Sequence, residues 1–164
     1  MSDSPQGSAA TRESGAAVRV PAPPLLFAAP LAATLALQKW LPLPLPGRPL
    51  MTALGAVLTI AGLAFSGSGA ATFRRNGTTV VPQHPVSTLV TEGPYRISRN
   101  PMYTGLAAAY VGAALWVGTW WPLTIAPLPV LATRRWVIAP EEEYLKRRFS
   151  AEYERYQSQV RRWL

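Results

Sequence analysis

The chain has 164 residues, enough for one compact unit; 49% are apolar, 15% are charged, and the net charge is +8. Soluble domains carry about 25% charged residues, so the material for an ordinary soluble surface is short. The absence of cysteine excludes disulfides, thiolate zinc sites and cysteine nucleophiles, and no nucleic-acid module is recognisable, which leaves the positive charge to membrane topology and anionic headgroups.

Residues 1–20 are polar, rich in Gly, Ser and Ala and without periodicity, and read as a disordered tail. Three stretches then carry no charge, 20–38, 49–73 and 100–133. Each is long enough to reach across a hydrocarbon core of about 30 Å as a helix. The first follows Arg12 and Arg19 like a secretory signal, but no clean cleavage site follows it and further apolar spans do, so a retained helix from Pro24 to Leu41 is expected. Pro42, Pro44, Pro46 and Gly47 form a short stiff turn, and a second helix is expected from Pro49 to Ala71, with Gly55, Ala61, Gly62, Gly67 and Gly69 permitting close packing. Residues 21–72 are thus two transmembrane helices.

Phe73 to Arg99 is polar, proline-punctuated and arginine-bearing, and reads as an ordered loop outside the hydrocarbon. The uncharged stretch 100–133 is too long for one span and too short for two full ones. A helical hairpin resolves this, with arms Met102–Val117 and Pro122–Val137 and with Trp120 and Trp121 at the far interface. Pro140 opens an amphipathic helix expected to run to Trp163, since Leu145, Phe149, Tyr153, Tyr156, Val160 and Trp163 recur at spacings of four and three. The fold class is therefore an all-α integral membrane protein of about four transmembrane helices plus this tail helix. Arg74, Arg75, Arg96, Arg99, Arg134 and Arg135 place the loop and tail on the cytoplasmic side, Lys39 and Arg48 on the other turn pulling weakly against this.

Two clusters carry chemistry. Glu142 and Glu143 lie four residues before Lys146 and Arg147, the spacing of surface ion pairs. Glu141 instead shares the apolar seam with Leu145, where a carboxylate needs a partner; Arg134 or Arg135 would serve as well as a cationic or hydroxyl-rich ligand. The run Gly93-Pro94-Tyr95-Arg96-Ile97-Ser98-Arg99-Asn100-Pro101-Met102-Tyr103-Thr104-Gly105 joins a turn, two arginines and a helix start at the membrane boundary. It suits headgroup anchoring, or an acidic ligand held by arginines and free helix N–H groups. His84, the single histidine, Ser66, Ser68 and Ser150 form no recognisable nucleophilic or metal constellation, and no metal is expected.

Gly93-Pro94-Tyr95, Arg99-Asn100-Pro101, Tyr103 and Gly105, with Glu141-Glu142, Leu145, Phe149, Glu152-Tyr153 and Tyr156 in the tail, resemble the signature of the isoprenylcysteine carboxyl methyltransferase family and the related phospholipid methyltransferases, in their bacterial form. Asn76-Gly77-Thr78, Pro82 and Leu89-Val90 agree, so the likeness covers residues 74–162. It implies that residues 73–164 form the core of a membrane methyltransferase that takes S-adenosylmethionine in a pocket between loop, hairpin and tail helix, and a lipophilic acceptor from the bilayer of a bacterial cytoplasmic membrane. By motif position Tyr95, Arg99, Asn100, Pro101, Tyr103, Gly105 and Glu141 or Glu142 line the cofactor site. Arg99 would hold a carboxylate and Glu142 would accept a proton from an amine substrate. The chain departs from the prenylcysteine enzymes at Asn100, where they usually have histidine, at Val137, where an arginine often stands, and at Ser150, which replaces a common glycine. These differences leave the acceptor open between a prenylcysteine-like carboxylate, a phospholipid amine and another lipid-like molecule. Two other classes stand beside it: a nicotinamide-dependent membrane reductase with a related arginine-proline signature, and a non-catalytic membrane adaptor.

Overall fold

The computed structural model describes residues 22–77, 86 and 88–164. The expected tail, His84, Thr78, Pro82 and Pro85 lie outside these residues. Regular structure among the described residues is helical, apart from one isolated antiparallel bridge between Pro44 and Thr119. The elements are α1 (Leu25–Trp40), α2 (Arg48–Arg75), a 3-10 turn (Gly93–Arg96), α3 (Pro101–Val117), α4 (Trp121–Ile125), α5 (Pro127–Thr133), a π-helical turn (Arg134–Ile138) and α6 (Ala139–Gln159).

Prolines start these helices where a missing N–H costs nothing: Pro101 opens α3, and Pro122 and Pro127 stand in the first turns of α4 and α5. From α4 to α6 the junction residues Ala126, Arg134 and Ala139 keep right-handed helical angles. The hairpin's second arm therefore runs on into α6 as a single segmented rod, divided where Pro127 and Pro129 remove ladder hydrogen bonds.

The proline turn after α1 is knitted to the hairpin turn after α3. Leu45 N–H donates to the Gly118 carbonyl at 2.9 Å and Trp120 N–H to the Leu43 carbonyl at 3.0 Å. The Trp121 indole donates to the Leu41 carbonyl at 2.7 Å, and Gln38 Oε1 accepts from both Leu43 N–H and the Thr119 hydroxyl. Both turns thus close the same end of the bundle, so α2 and α3 are antiparallel, as are α1 and α4.

α2 and α3 share the tightest seam. Gly55, Gly62 and Gly69 recur every seven residues on the buried face of α2, so the stripe keeps its heading along the helix. A side chain at Gly62 would meet the Ala109 nitrogen and the Gly105 carbonyl, both at 2.6 Å, and one at Gly105 would meet the Ser66 nitrogen at 2.5 Å. Backbone rests on backbone here, the packing that small residues give membrane helices.

The outer face of α2 is opposite in kind. Leu50, Leu54, Val57, Ile60 and Leu63 are all about half exposed or more. α2 is long and apolar enough to cross a membrane, and only 11% of its most apolar window is buried, where a soluble core helix would be mostly buried. α1 is apolar but shorter, at 16 residues. The all-helical class expected from the sequence holds, and one helix among the described residues meets the length and apolarity of a span.

The tail departs from expectation. In place of one helix to Trp163, α6 breaks at Ser150, whose φ of 41° and ψ of −115° lie outside helical space, and it ends at Gln159. An unbroken helix would separate Glu142 from Arg162 by about 30 Å. The side chains meet, so the arms 139–149 and 151–159 fold back on one another. The apolar seam still buries itself: Tyr153 and Tyr156 pack with Leu89, Val90 and Tyr95, flanked by Phe73, Leu145, Phe149 and Val160. Trp163 joins a separate cluster around Tyr103, Val137 and Ile138.

Candidate active site

The reversal at Ser150 brings the chain's last residues back to the start of α3. Ser98, fully buried, donates its hydroxyl to the Arg162 carbonyl and accepts from the Asn100 N–H. The Arg99 N–H donates to the Arg161 carbonyl at 2.9 Å, and Asn100 Nδ2 to the Arg162 carbonyl at 3.0 Å. Asn100 occupies the N-cap position of α3, but its side chain does not cap the helix as an asparagine there commonly does; it holds the tail instead.

So anchored, Arg162 grips Glu142 as a fork, Nε to Oε1 at 3.0 Å and NH2 to Oε2 at 2.6 Å. Arg99 approaches the same carboxylate from the other side, NH2 to Oε1 at 3.3 Å, and the side chains of Arg99 and Glu142 are only 8% and 9% exposed. This overturns the expected surface pair of Glu142 with Lys146. Glu142 points inward because two guanidiniums offset its desolvation, whereas Glu143 does form the exposed pair with Arg147 at 3.2 Å.

Beside this triad lies a narrow cleft, with about 40 Å³ inside it free for water-sized molecules. Tyr95, Arg99, Asn100, Tyr103, Glu141 and Glu142 line it, with Phe73, Leu89, Leu145, Tyr153 and Tyr156 among its walls. Six of the residues expected at the site therefore share one cavity. Pro101 and Gly105 do not line it. Both are buried against α2, Pro101 beside Gly69 and Gly105 against Gly62 and Ser66. Arg96, on the exposed side of the 3-10 turn, is separate from Arg99.

Several polar groups in the cleft have no protein partner among the described residues. Arg99 spends NH2 on Glu142, but Nε and NH1 are buried and unpaired, as is the Tyr95 hydroxyl. Glu141 makes no ion pair or hydrogen bond among the described residues, and neither Arg134 nor Arg135, both exposed, reaches it. Its carboxyl looks into the cleft, walled by protein yet open at the mouth. Burial, and then the charge of Glu142, push its pKa up to about 7. Burial chiefly, with Glu141 next, raises the Tyr95 phenol as well, so it stays protonated and can donate. A site with two free guanidinium nitrogens and a free carboxyl fits a ligand that carries both an anionic and a cationic group.

A family model described as phospholipid methyltransferase matches residues 50–152. The chain belongs to the phospholipid methyltransferase family. That makes it a member of a methyltransferase family, as the motif resemblance implied, and the matched segment carries Tyr95, Arg99, Asn100, Glu141 and Glu142 but stops short of Arg162. A protein of Haemophilus influenzae (strain ATCC 51907 / DSM 11121 / KW20 / Rd), described only as "Uncharacterized protein", is 36% identical over 63 residues, 38% of this chain and 100% of that protein. No solved structure matches.

Relative to the family motif, the structure adds Arg162, Ser98 and Phe73 to the site of this phospholipid methyltransferase family member, and it brings the motif residue Tyr153 into the cleft wall. Arg162 lay hidden because its pairing depends on the reversal at Ser150. The one local signal for that is Ser150, a departure from the glycine that the motif resemblance implies there.

Proposed function

We propose that the protein is a membrane-embedded methyltransferase that uses S-adenosylmethionine to methylate a lipophilic acceptor, a prenylcysteine-like carboxylate, a phospholipid amine or another lipid-like molecule. The observation that carries this reading is the unpaired Nε and NH1 of Arg99 together with the unpartnered carboxyl of Glu141, on two residues that line one aromatic cleft. S-adenosylmethionine, when bound, supplies an electrophilic methyl carbon on a sulfonium. Arg99 Nε and NH1 would take its carboxylate, and Glu141 its ammonium or ribose hydroxyls. The aromatic faces of Tyr95, Tyr103, Tyr153 and Phe73 suit a cationic sulfur, at about 0.5–2 kcal/mol each.

Glu142 and Arg162 act here as positioning residues. With both oxygens engaged by guanidiniums, Glu142 has little capacity left to take a proton from an amine, the task its sequence position suggested. It fixes the Arg99 guanidinium at the cleft while leaving Nε and NH1 unpaired. Alignment of this kind can supply several kcal/mol of the roughly 7–11 kcal/mol available from ordered geometry. A carboxylate acceptor needs no base; an amine acceptor would need Glu141 as base in place of its hold on the donor.

In the same reading α1, α2, α3 and the α4–α5 rod cross the bilayer, with the cleft at the cytoplasmic surface. Arg74, Arg75, Arg96, Arg99, Arg134 and Arg135 cluster at that end against Lys39 and Arg48 at the knitted turns, as the positive-inside rule requires. Because the chain has no native cysteine, single cysteines at 43 and 96 labelled from either side of sealed vesicles test this topology directly. The activity test is transfer of radiolabelled methyl from S-adenosylmethionine into the lipid extract of membranes holding the parent chain. The label should appear with the parent and disappear with Glu141→Gln; label equal in both, or in neither, refutes the assignment.

A further inference from the structure

Behind the cleft, on the opposite face of the π-helical turn, two surface features run together. One is an open apolar groove between α1 and α5, walled by Leu26, Pro30, Leu128, Pro129, Ala132 and Trp136. The other is a cup formed by Arg134, Arg135 and Arg162 with Leu131 and Ala139. Leu131 and Arg135 belong to both. No acidic residue lines either feature, and Arg134 and Arg135 form no ion pair or hydrogen bond among the described residues. The packed cluster of Tyr103, Val137 and Ile138, which Leu26 and Trp163 flank, stands between this surface and the cleft, so the groove is no extension of the catalytic cavity.

We infer that this surface binds an anionic phospholipid, its phosphate in the three-arginine cup and one acyl chain in the groove between α1 and α5. The inference rests on the membrane topology proposed above, which sets the groove at hydrocarbon depth and the cup at the headgroup level. An open apolar groove ending at Arg134 and Arg135 has the polarity of such a lipid from end to end. A free phosphate would fill the cup and leave the groove idle; a zwitterionic lipid would bring an ammonium against arginines. Arg162 belongs to the cup on one side and to the Glu142 fork on the other, so the bound headgroup touches the residue that orders the cleft's charges.

The test is lipid retention by the full chain. Protein purified in mild detergent is equilibrated with equal dioleoyl-phosphatidylglycerol and dioleoyl-phosphatidylcholine, and bound lipid is counted by native mass spectrometry. The parent should retain phosphatidylglycerol in preference. Arg134→Gln with Arg135→Gln should cut that preference by at least about tenfold, each arginine near a lipid surface contributing roughly fivefold. Lys146→Gln with Arg155→Gln, equal in net charge and elsewhere on the tail, should leave it intact. Leu131→Trp, which fills the groove, should reduce retention without changing charge, and Arg134→Lys with Arg135→Lys should keep most of it, which separates binding from misfolding. Equal loss in both glutamine pairs, undiminished retention without Arg134 and Arg135, or a thermal shift from millimolar glycerol phosphate as large as that from the lipid would overturn the proposal. No methyl donor enters this assay, so failure of the methyltransferase reading leaves it unmoved, and the cysteine labelling reports failure of the topology separately.

Discussion

The two ends of the bundle are built on opposite principles. At the knitted turns, the Gln38, Thr119 and Trp121 side chains each find a partner in the neighbouring turn. At the cleft, Arg99 Nε and NH1, the Tyr95 hydroxyl and Glu141 go without one among the described residues. The chain satisfies polar groups with two short turns at one end and leaves them open at the other, where a ligand or water can take them up. One end holds the helices in register; the other holds charges apart for something to fill.

That contrast can be broken by substitution, beginning with the largest expected effect. Glu142→Gln leaves Arg99 and Arg162 without their counter-charge, and removing one partner of a buried pair costs about 3–5 kcal/mol. A fall in Tm of several degrees in detergent is the expected readout, with donor binding lost as Arg99 is released. Next comes pH. The folded protein holds the Glu141 proton to about pH 7, against an ordinary value of 4.5, so ionising it costs folding stability. The cost is absent below about pH 4.5, grows as the pH rises to about 7, and is complete above. Glu141→Gln should therefore match the parent near pH 4.5 and exceed it in stability at pH 8, by on the order of 1–3 kcal/mol. Affinity of the parent for a cationic ligand should move the other way, strengthening as the pH rises through 7.

Thr119→Val probes the opposite end. It takes one of two donors from Gln38 and should cost about 1 kcal/mol in thermal unfolding while leaving ligand affinity unchanged. A change in affinity would show that the two ends are coupled. The smallest effect is a gain: Ser150→Gly at a φ of 41° should stabilise by about 1 kcal/mol, because glycine occupies that region without strain.

These same positions show how much was readable beforehand. The hairpin's first arm, expected at Met102–Val117, is observed at Pro101–Val117, because charge-free runs and proline starts are local signals. The Glu143–Arg147 pair is local too. Glu142 was misplaced because helical spacing to Lys146 says nothing about a guanidinium 20 residues later that returns through a bend. The bend is masked because the apolar periodicity continues past Ser150 without a break: Tyr153 and Tyr156 keep helical spacing yet belong to a different arm. Tertiary reversal leaves no trace in a pattern that both arms obey.

Calorimetric titration of the purified full chain with S-adenosylhomocysteine bears most directly on the cleft. The parent should bind, while Arg99→Ala and Glu141→Gln each lose at least about tenfold in affinity, the worth of one charge-assisted contact, with helix content unchanged. Parent-like affinity in both variants would mean that the opposed charges of the cleft do not hold the donor, and the proposed role of the site would fall with them.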